Sequence, residues 1–172
     1  TVTNSYVPFN SNYNYGWSRT LYQATELAPA GGMLTSIAFM PYSNSNTTGL
    51  INQSLYLKEV NLTANPTTGY VNPITDGATL VWSGNVGVLA PNQWFDITFN
   101  TPFNISPGMG LMVYWDNLDS SYNGTIAWKS STLALVKNAS NYGYSDRSVA
   151  DAQQMNSVIS SRPIARFAYA GV

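Results

Sequence analysis

The stretch from Trp94 to Asp116, WFDITFNTPFNISPGMGLMVYWD, leaves the chain few folds to choose from. In its first half Phe95, Ile97 and Phe99 alternate with Asp96, Thr98 and Asn100, the period of a strand with one wet and one buried face. Pro102 is expected to stop that ladder, because proline brings no N–H to a sheet. Pro107, Gly108 and Gly110 supply a turn, and Leu111 to Trp115 then form a nearly continuous apolar run, as in a strand covered on both sides. The reading is two adjacent strands joined by a tight corner in the core of a sandwich.

The same signals recur along the rest of the chain. TVTNSYVPFN alternates weakly, and Pro8 confines it to an edge strand or an exchangeable arm over residues 1–10. SNYNYGW is a loop rich in Tyr and Asn, and RTLYQATEL reads as a strand and a bend, with a short helix as the other option. MLTSIAFMPY, SLYLKEVNL and ATLVWSGNVGVL are strands, with Leu34, Ile37 and Phe39 as core candidates in the first. Between the last two, TANPTTGYVNPITDG is a long loop for a compact domain, which marks it as either functional or a cap on one end of the sandwich. TIAWKSSTLALVKN brings one or two more strands, VADAQQM has room for a helical turn, and RPIARFAYAGV closes the chain in a strand. About ten short strands separated by Gly, Pro and Asn turns predict an all-β fold, an antiparallel β-sandwich of jelly-roll type with little or no helix, as one domain over residues 1–172.

Composition narrows function mainly by exclusion. Only 9% of residues are charged, against roughly 25% in an average soluble protein, and the net charge is -1. A surface of amides and hydroxyls carries no strong field, so nucleic acid is not an expected partner, while association with copies of itself meets little repulsion. The chain has neither Cys nor His, which removes the Cys nucleophile, the Ser-His-Asp triad and the usual zinc, copper and haem ligands. No apolar run is long enough for a spanning helix, so no membrane insertion is expected; a start at Thr1 suits an exported chain whose signal has been removed, and an excised domain equally well.

Several pieces carry a resemblance in order and spacing over almost the whole chain. They are Pro8, Tyr13, Tyr15, Leu21, Tyr22 and Glu26 near the start, then GGMLTSIAF, SLYLKEVN, LVWSGNV, QWFDITFNTPFNISPGMGLMVYW and RPIARFAY. The pattern resembles a jelly-roll module of secreted, multidomain proteins of the Bacteroidetes phylum, where it occurs beside fibronectin type III domains. It is similar in layout to surface adhesin and carbohydrate-binding modules. The resemblance implies an extracellular or cell-surface location on a bacterium and no enzyme activity.

Two functional expectations follow. In the first, the chain is a structural and adhesive subunit of a cell-surface fibre or layer that lends its arm to a neighbour's sheet through Val2, Tyr6, Val7 and Phe9. In the second it is a carbohydrate-binding module, with Trp17, Tyr13 and Tyr15 in the first loop and Tyr122 and Trp128 around the YNG turn as stacking platforms. Aromatic rings also pack in cores, and Trp94 and Trp115 are read that way. Asp116 and Asp119 offer oxygen ligands on one loop that suit calcium, although Asp and Asn serve turns equally well. A glycosidase needs two facing carboxylates, and the eight of this chain show no telling cluster. Asn-x-Ser/Thr sequences at Asn46, Asn52, Asn61, Asn104, Asn123 and Asn138 arise by chance in so Asn- and Thr-rich a chain.

Overall fold

In the computed structural model, which describes residues 2–132 and 138–171, the alternating segments become thirteen strands. They are β1 (Thr3–Asn4), β2 (Tyr15–Tyr22), β3 (Gly32–Phe39), β4 (Pro41–Asn44), β5 (Leu50–Val60), β6 (Thr79–Val86), β7 (Phe95–Ile105), β8 (Gly110–Asn117), β9 (Ile126–Thr132), β10 (Ser140–Ser145), β11 (Ser157–Ile159), β12 (Ser161–Pro163) and β13 (Ala165–Tyr169). A single helix, α1 (Val149–Gln154), stands where VADAQQM left room for one, and a 3-10 turn at Ala24–Glu26 follows β2. Among the described residues no helix is long and apolar enough to cross a membrane.

All the ladders are antiparallel. A six-stranded sheet runs β11-β10-β2-β8-β5-β6. Opposite it lie the three-stranded sheet β13-β3-β7 and a four-stranded group, β1-β9-β12 with β4 also on β9. The core is the space between: Leu55 and Leu57 of β5, Val81 of β6 and Leu111, Val113 and Trp115 of β8 pack with Leu34, Ile37 and Phe39 of β3, Ile97 and Phe99 of β7 and Trp128 of β9. Burying each such side chain contributes about 1.5–3 kcal/mol. Period-two alternation thus does on both inner faces what it predicts, and the fold is an antiparallel β-sandwich.

The apolar run of β8 is covered on both sides, as expected. Its even positions Met112 and Tyr114 join Leu21, Val60 and Ala78 in a second cluster on the outer face of the large sheet. The strands on either side of the corner, however, are not neighbours. β7 belongs to one layer and β8 to the other, and the turn Ser106–Met109 carries the chain across the sandwich. Phe95, Ile97 and Phe99 therefore meet the odd residues of β8 face to face across the core rather than side by side in one sheet. Nor does Pro102 end its strand: β7 continues to Ile105, and the proline sits in the irregularity where pairing jumps from Ser36↔Thr98 to Leu34↔Phe103.

β9 is a crossbar. The Lys129 N–H donates to Met40 O (2.9 Å) and Lys129 O accepts from the Ile164 N–H (3.0 Å), so β4 and β12 meet the same edge of β9 just where β3 and β13 diverge. Its other edge takes the N-terminal arm, with Ser130 N–H donating to Val2 O (2.9 Å) and Thr3 opposite Lys129. Beyond that ladder the arm drops into the core. Val7 and Phe9 are 0% and 2% exposed; the Phe9 ring stacks on Trp115 with centroids 4.5 Å apart and meets the edge of Trp128 at 5.1 Å. Ser18 Oγ–H donates to Pro8 O and Trp128 Nε1–H to Phe9 O (3.3 Å). Here the arm pairs within its own fold.

Phe9→Ala should therefore lower the unfolding free energy by about 3–5 kcal/mol, the cost of emptying a packed aromatic site. Tyr6, half exposed and stacked on Tyr142, should cost only about 0.5–1.5 kcal/mol on change to Ala. Urea unfolding of both variants checks this, and near-equal losses would show that Phe9 is not seated in the core.

Candidate ligand-binding groove

The outer face of the large sheet is the one a sandwich ordinarily leaves to water, and here it is covered. Strand register places Trp17 of β2 between Asp116 of β8 and Gly143 of β10, with Arg19 opposite Tyr114 and Asn141 one step along. Over them lie the long 61–78 loop from one side and α1 from the other.

Buried amides fasten the loop. Asn65 and Asn138 exchange hydrogen bonds through backbone and side chain (2.9 and 2.6 Å), Asn65 Nδ2 donates to Asn141 Oδ1 (2.8 Å), and Asn141 Nδ2 donates to Thr68 O (2.9 Å). Arg19, only 3% exposed, donates to Thr68 O (2.7 Å), Pro66 O (3.4 Å) and Asn141 Oδ1 (3.2 Å). Burial holds its guanidinium pKa below the usual value, and carbonyl dipoles rather than a touching carboxylate compensate the charge.

The helix is fastened by a tryptophan and made possible by a glycine. Ser148 caps α1 by accepting from Asp151 N–H (3.0 Å), and Trp17 Nε1–H donates to Ala152 O (2.8 Å). A Cβ on Gly143 would stand 2.4 Å from both Trp17 Nε1 and Ala152 O, closer than any packed contact allows. Only glycine lets α1 lie this close to the sheet.

Between loop and helix remains a cavity of about 200 Å³ lined by Tyr15, Trp17, Tyr70, Asp116, Val149 and Gln153 among others. The volume is below the ~300–1,000 Å³ of drug-sized sites and suits a small ring. Trp17 and Tyr70 form a corner, edge to face, with centroids 5.6 Å apart at 69°. A narrower cleft shares Trp17, Tyr70 and Asp116 and runs on to Arg19 and Tyr114.

Asp116 sets the electrostatics. Burial pushes its carboxyl up from 3.8 to about 6, and among the described residues no hydrogen bond or cation lowers it again. Burial and the field of Asp116 push the Tyr70 phenol up to about 12 and also raise Tyr56. Tyr114 is raised too, by burial and by its donation to Asp76. At neutral pH the groove thus presents one carboxylate among neutral phenols, and Asp116 is the one carboxylate in its lining.

The structure gathers some of the sequence candidates and scatters others. Trp17, Tyr15 and Asp116 meet in the groove, with Trp17 mostly covered at 6% exposure. Tyr13 does not join them; it stacks on Tyr144 at 3.9 Å, in a row that continues through Tyr142 to Tyr6 of the arm. Tyr122 is 68% exposed and edges a separate open depression with Ser45, Thr47, Thr48 and Asn123. Trp128 corrects an expectation: at 0% exposure it is core, because β9 turns Ile126, Trp128 and Ser130 inward, and no ligand can stack on it. Val7 and Phe9 are likewise core rather than free surface, while Val2 and Tyr6 stay exposed. Asp116 and Asp119 do not form a common cation site: Asp119 is buried and accepts from Ile51 N–H (2.6 Å), whereas Asp116 opens into the groove. Among the described residues no cluster of three or more Asp or Glu could hold a metal. Tyr70 is the wall that the residue-by-residue reading missed, although the length of its loop marked the segment.

Two outcomes test this geometry. Because the carboxyl of Asp116 titrates higher in the folded chain than unfolded, the folded state is favoured while the group is protonated. That contribution is lost as pH rises through about 6. Asp116→Asn should accordingly be more stable than the parent by up to about 3 kcal/mol at pH 7.5, the difference shrinking toward pH 4. Urea midpoints at the two pH values measure it, and an Asn variant less stable at pH 7.5 would contradict an unpaired carboxylate. Gly143→Ala should destabilise by about 1–3 kcal/mol as α1 is pushed off the sheet, seen as a lower thermal midpoint with altered Trp17 fluorescence. No protein-family model matches the chain, and no curated protein matches it.

Proposed function

We propose that the chain is a non-catalytic, extracellular carbohydrate-binding module of a bacterial cell surface or secreted protein, and that its site is the groove of Trp17, Tyr15, Tyr70 and Asp116. One observation carries the reading: a half-buried carboxylate with no partner among the described residues lines, together with an aromatic corner, a cavity sized for one small ring. Sugar rings offer apolar C–H faces to aromatic side chains and hydroxyl donors to an acceptor-only carboxylate. A group that lowers stability and has no structural partner is the kind retained for binding. A single carboxylate does not meet the two-carboxylate requirement of glycoside hydrolysis. A glycan array followed by calorimetry tests the reading. Tyr70→Ala should weaken any binding found by about 1–2 kcal/mol, the worth of one stacked ring, with Tyr122→Ala without effect. Binding untouched by Tyr70→Ala would move the site elsewhere.

A second reading is a self-associating, adhesive subunit of a surface fibre or layer, compatible with the first. It draws on the arm. Phe9 occupies a slot bounded by Trp115 and Trp128, with Val7 buried two residues before it, and an identical arm from a second copy would make the same contacts there. The nearly neutral surface opposes no such exchange. Light scattering over a range of concentrations should show assemblies that an excess of a synthetic peptide of residues 2–10 dissolves. A monomer at every concentration, or assemblies indifferent to the peptide, would sink this reading.

A further inference from the structure

We infer that the groove selects an amino sugar with a free ammonium group, held against Asp116 while its ring rests in the corner of Trp17 and Tyr70. The inference deepens the glycan reading and rests on it. A neutral hydroxyl could donate to the carboxylate but would leave its charge uncompensated in a partly dry cavity, and a desolvated charge gains most from an opposite charge.

Among the described residues no opposite charge is paired with Asp116. Arg19 borders the adjoining cleft, yet its Nε and Nη2 are turned to Asn141 Oδ1 and to the carbonyls of Thr68 and Pro66. Lys58 pairs with Asp76 at 3.7 Å, and Arg147, just before the N-cap of α1, with Asp151 at 3.7 Å. The rest of the wall includes Tyr15, Trp17 and Tyr70, and the negative faces of Trp and Tyr rings attract a cation in their own right. A carboxylate beneath two aromatic rings is thus complementary to a small organic ammonium, and the limited volume leaves space for a single sugar residue carrying it.

The test uses the full chain and calorimetry at pH 7 with three trisaccharides: one of glucosamine, its fully N-acetylated counterpart and one of glucose. The free-amine trisaccharide should bind at least tenfold more tightly than either other. Asp116→Asn, which keeps shape and is expected to fold more stably than the parent, should abolish that preference. Equal binding of all three, or a preference that survives Asp116→Asn, would overturn the inference and leave the glycan reading standing. Binding of n-butylamine, lost in Asp116→Asn, with no saccharide bound would instead overturn the glycan reading and keep Asp116 as an ammonium acceptor. Absence of binding by every probe would overturn both.

Discussion

Two consecutive side chains of β8 face opposite ways, and nearly everything else in the molecule is arranged around that fact. Trp115 points into the sandwich, where Phe9 stacks on it and Trp82 leans against it at 5.9 Å. Its Nε1–H donates to Gln53 Oε1 (2.7 Å), which keeps the only polar atom of the ring paired inside the core. Asp116 points out, into the groove. The strand is held on both edges, by β2 and by β5, each in unbroken register over at least seven residues. A one-residue slip would bury the carboxylate against Phe9 and put the indole in water. Core stability and the placing of the site are therefore one constraint.

This coupling explains what was legible in the sequence. Strands such as SLYLKEVNL and QWFDITFN announce themselves because burial on one face imposes the period directly on the residues. β10 stayed hidden, since SNYGYS buries a serine, an asparagine, a tyrosine and a glycine rather than aliphatic residues; its neighbours include the hydrogen-bonding groups of the loop and the Tyr6 ring of the arm. The layer change at Ser106–Met109 was equally hidden, because a turn between strands of one sheet and a turn between sheets use the same Pro and Gly residues. Trp128 stood close to a turn in sequence, but position along the chain says nothing of which side of β9 it takes.

The groove was half legible for the same reason. Trp17, Tyr15 and Asp116 could be singled out one by one, yet their meeting depends on β2 and β8 being neighbours, a pairing between residues about a hundred positions apart. Tyr70 and Gln153 come from a loop and a helix with no period at all. Gly143 is the clearest case: its role is the room it leaves for Ala152 and the Trp17 indole, and empty space has no signature in a sequence.

The loop carrying Tyr70 is tied down by asparagine amides, main-chain carbonyls and one arginine that bonds to those carbonyls rather than to a carboxylate. That end of the loop is fastened with no pair of opposite charges for salt to screen, while the far end adds one: Asp76 pairs with Lys58 at 3.7 Å and accepts from the Tyr114 phenol. The amide fastening from Asn65 to Thr68 should therefore hold from fresh water to brine, and the Asp76 end is the part of the groove's wall that salt can loosen.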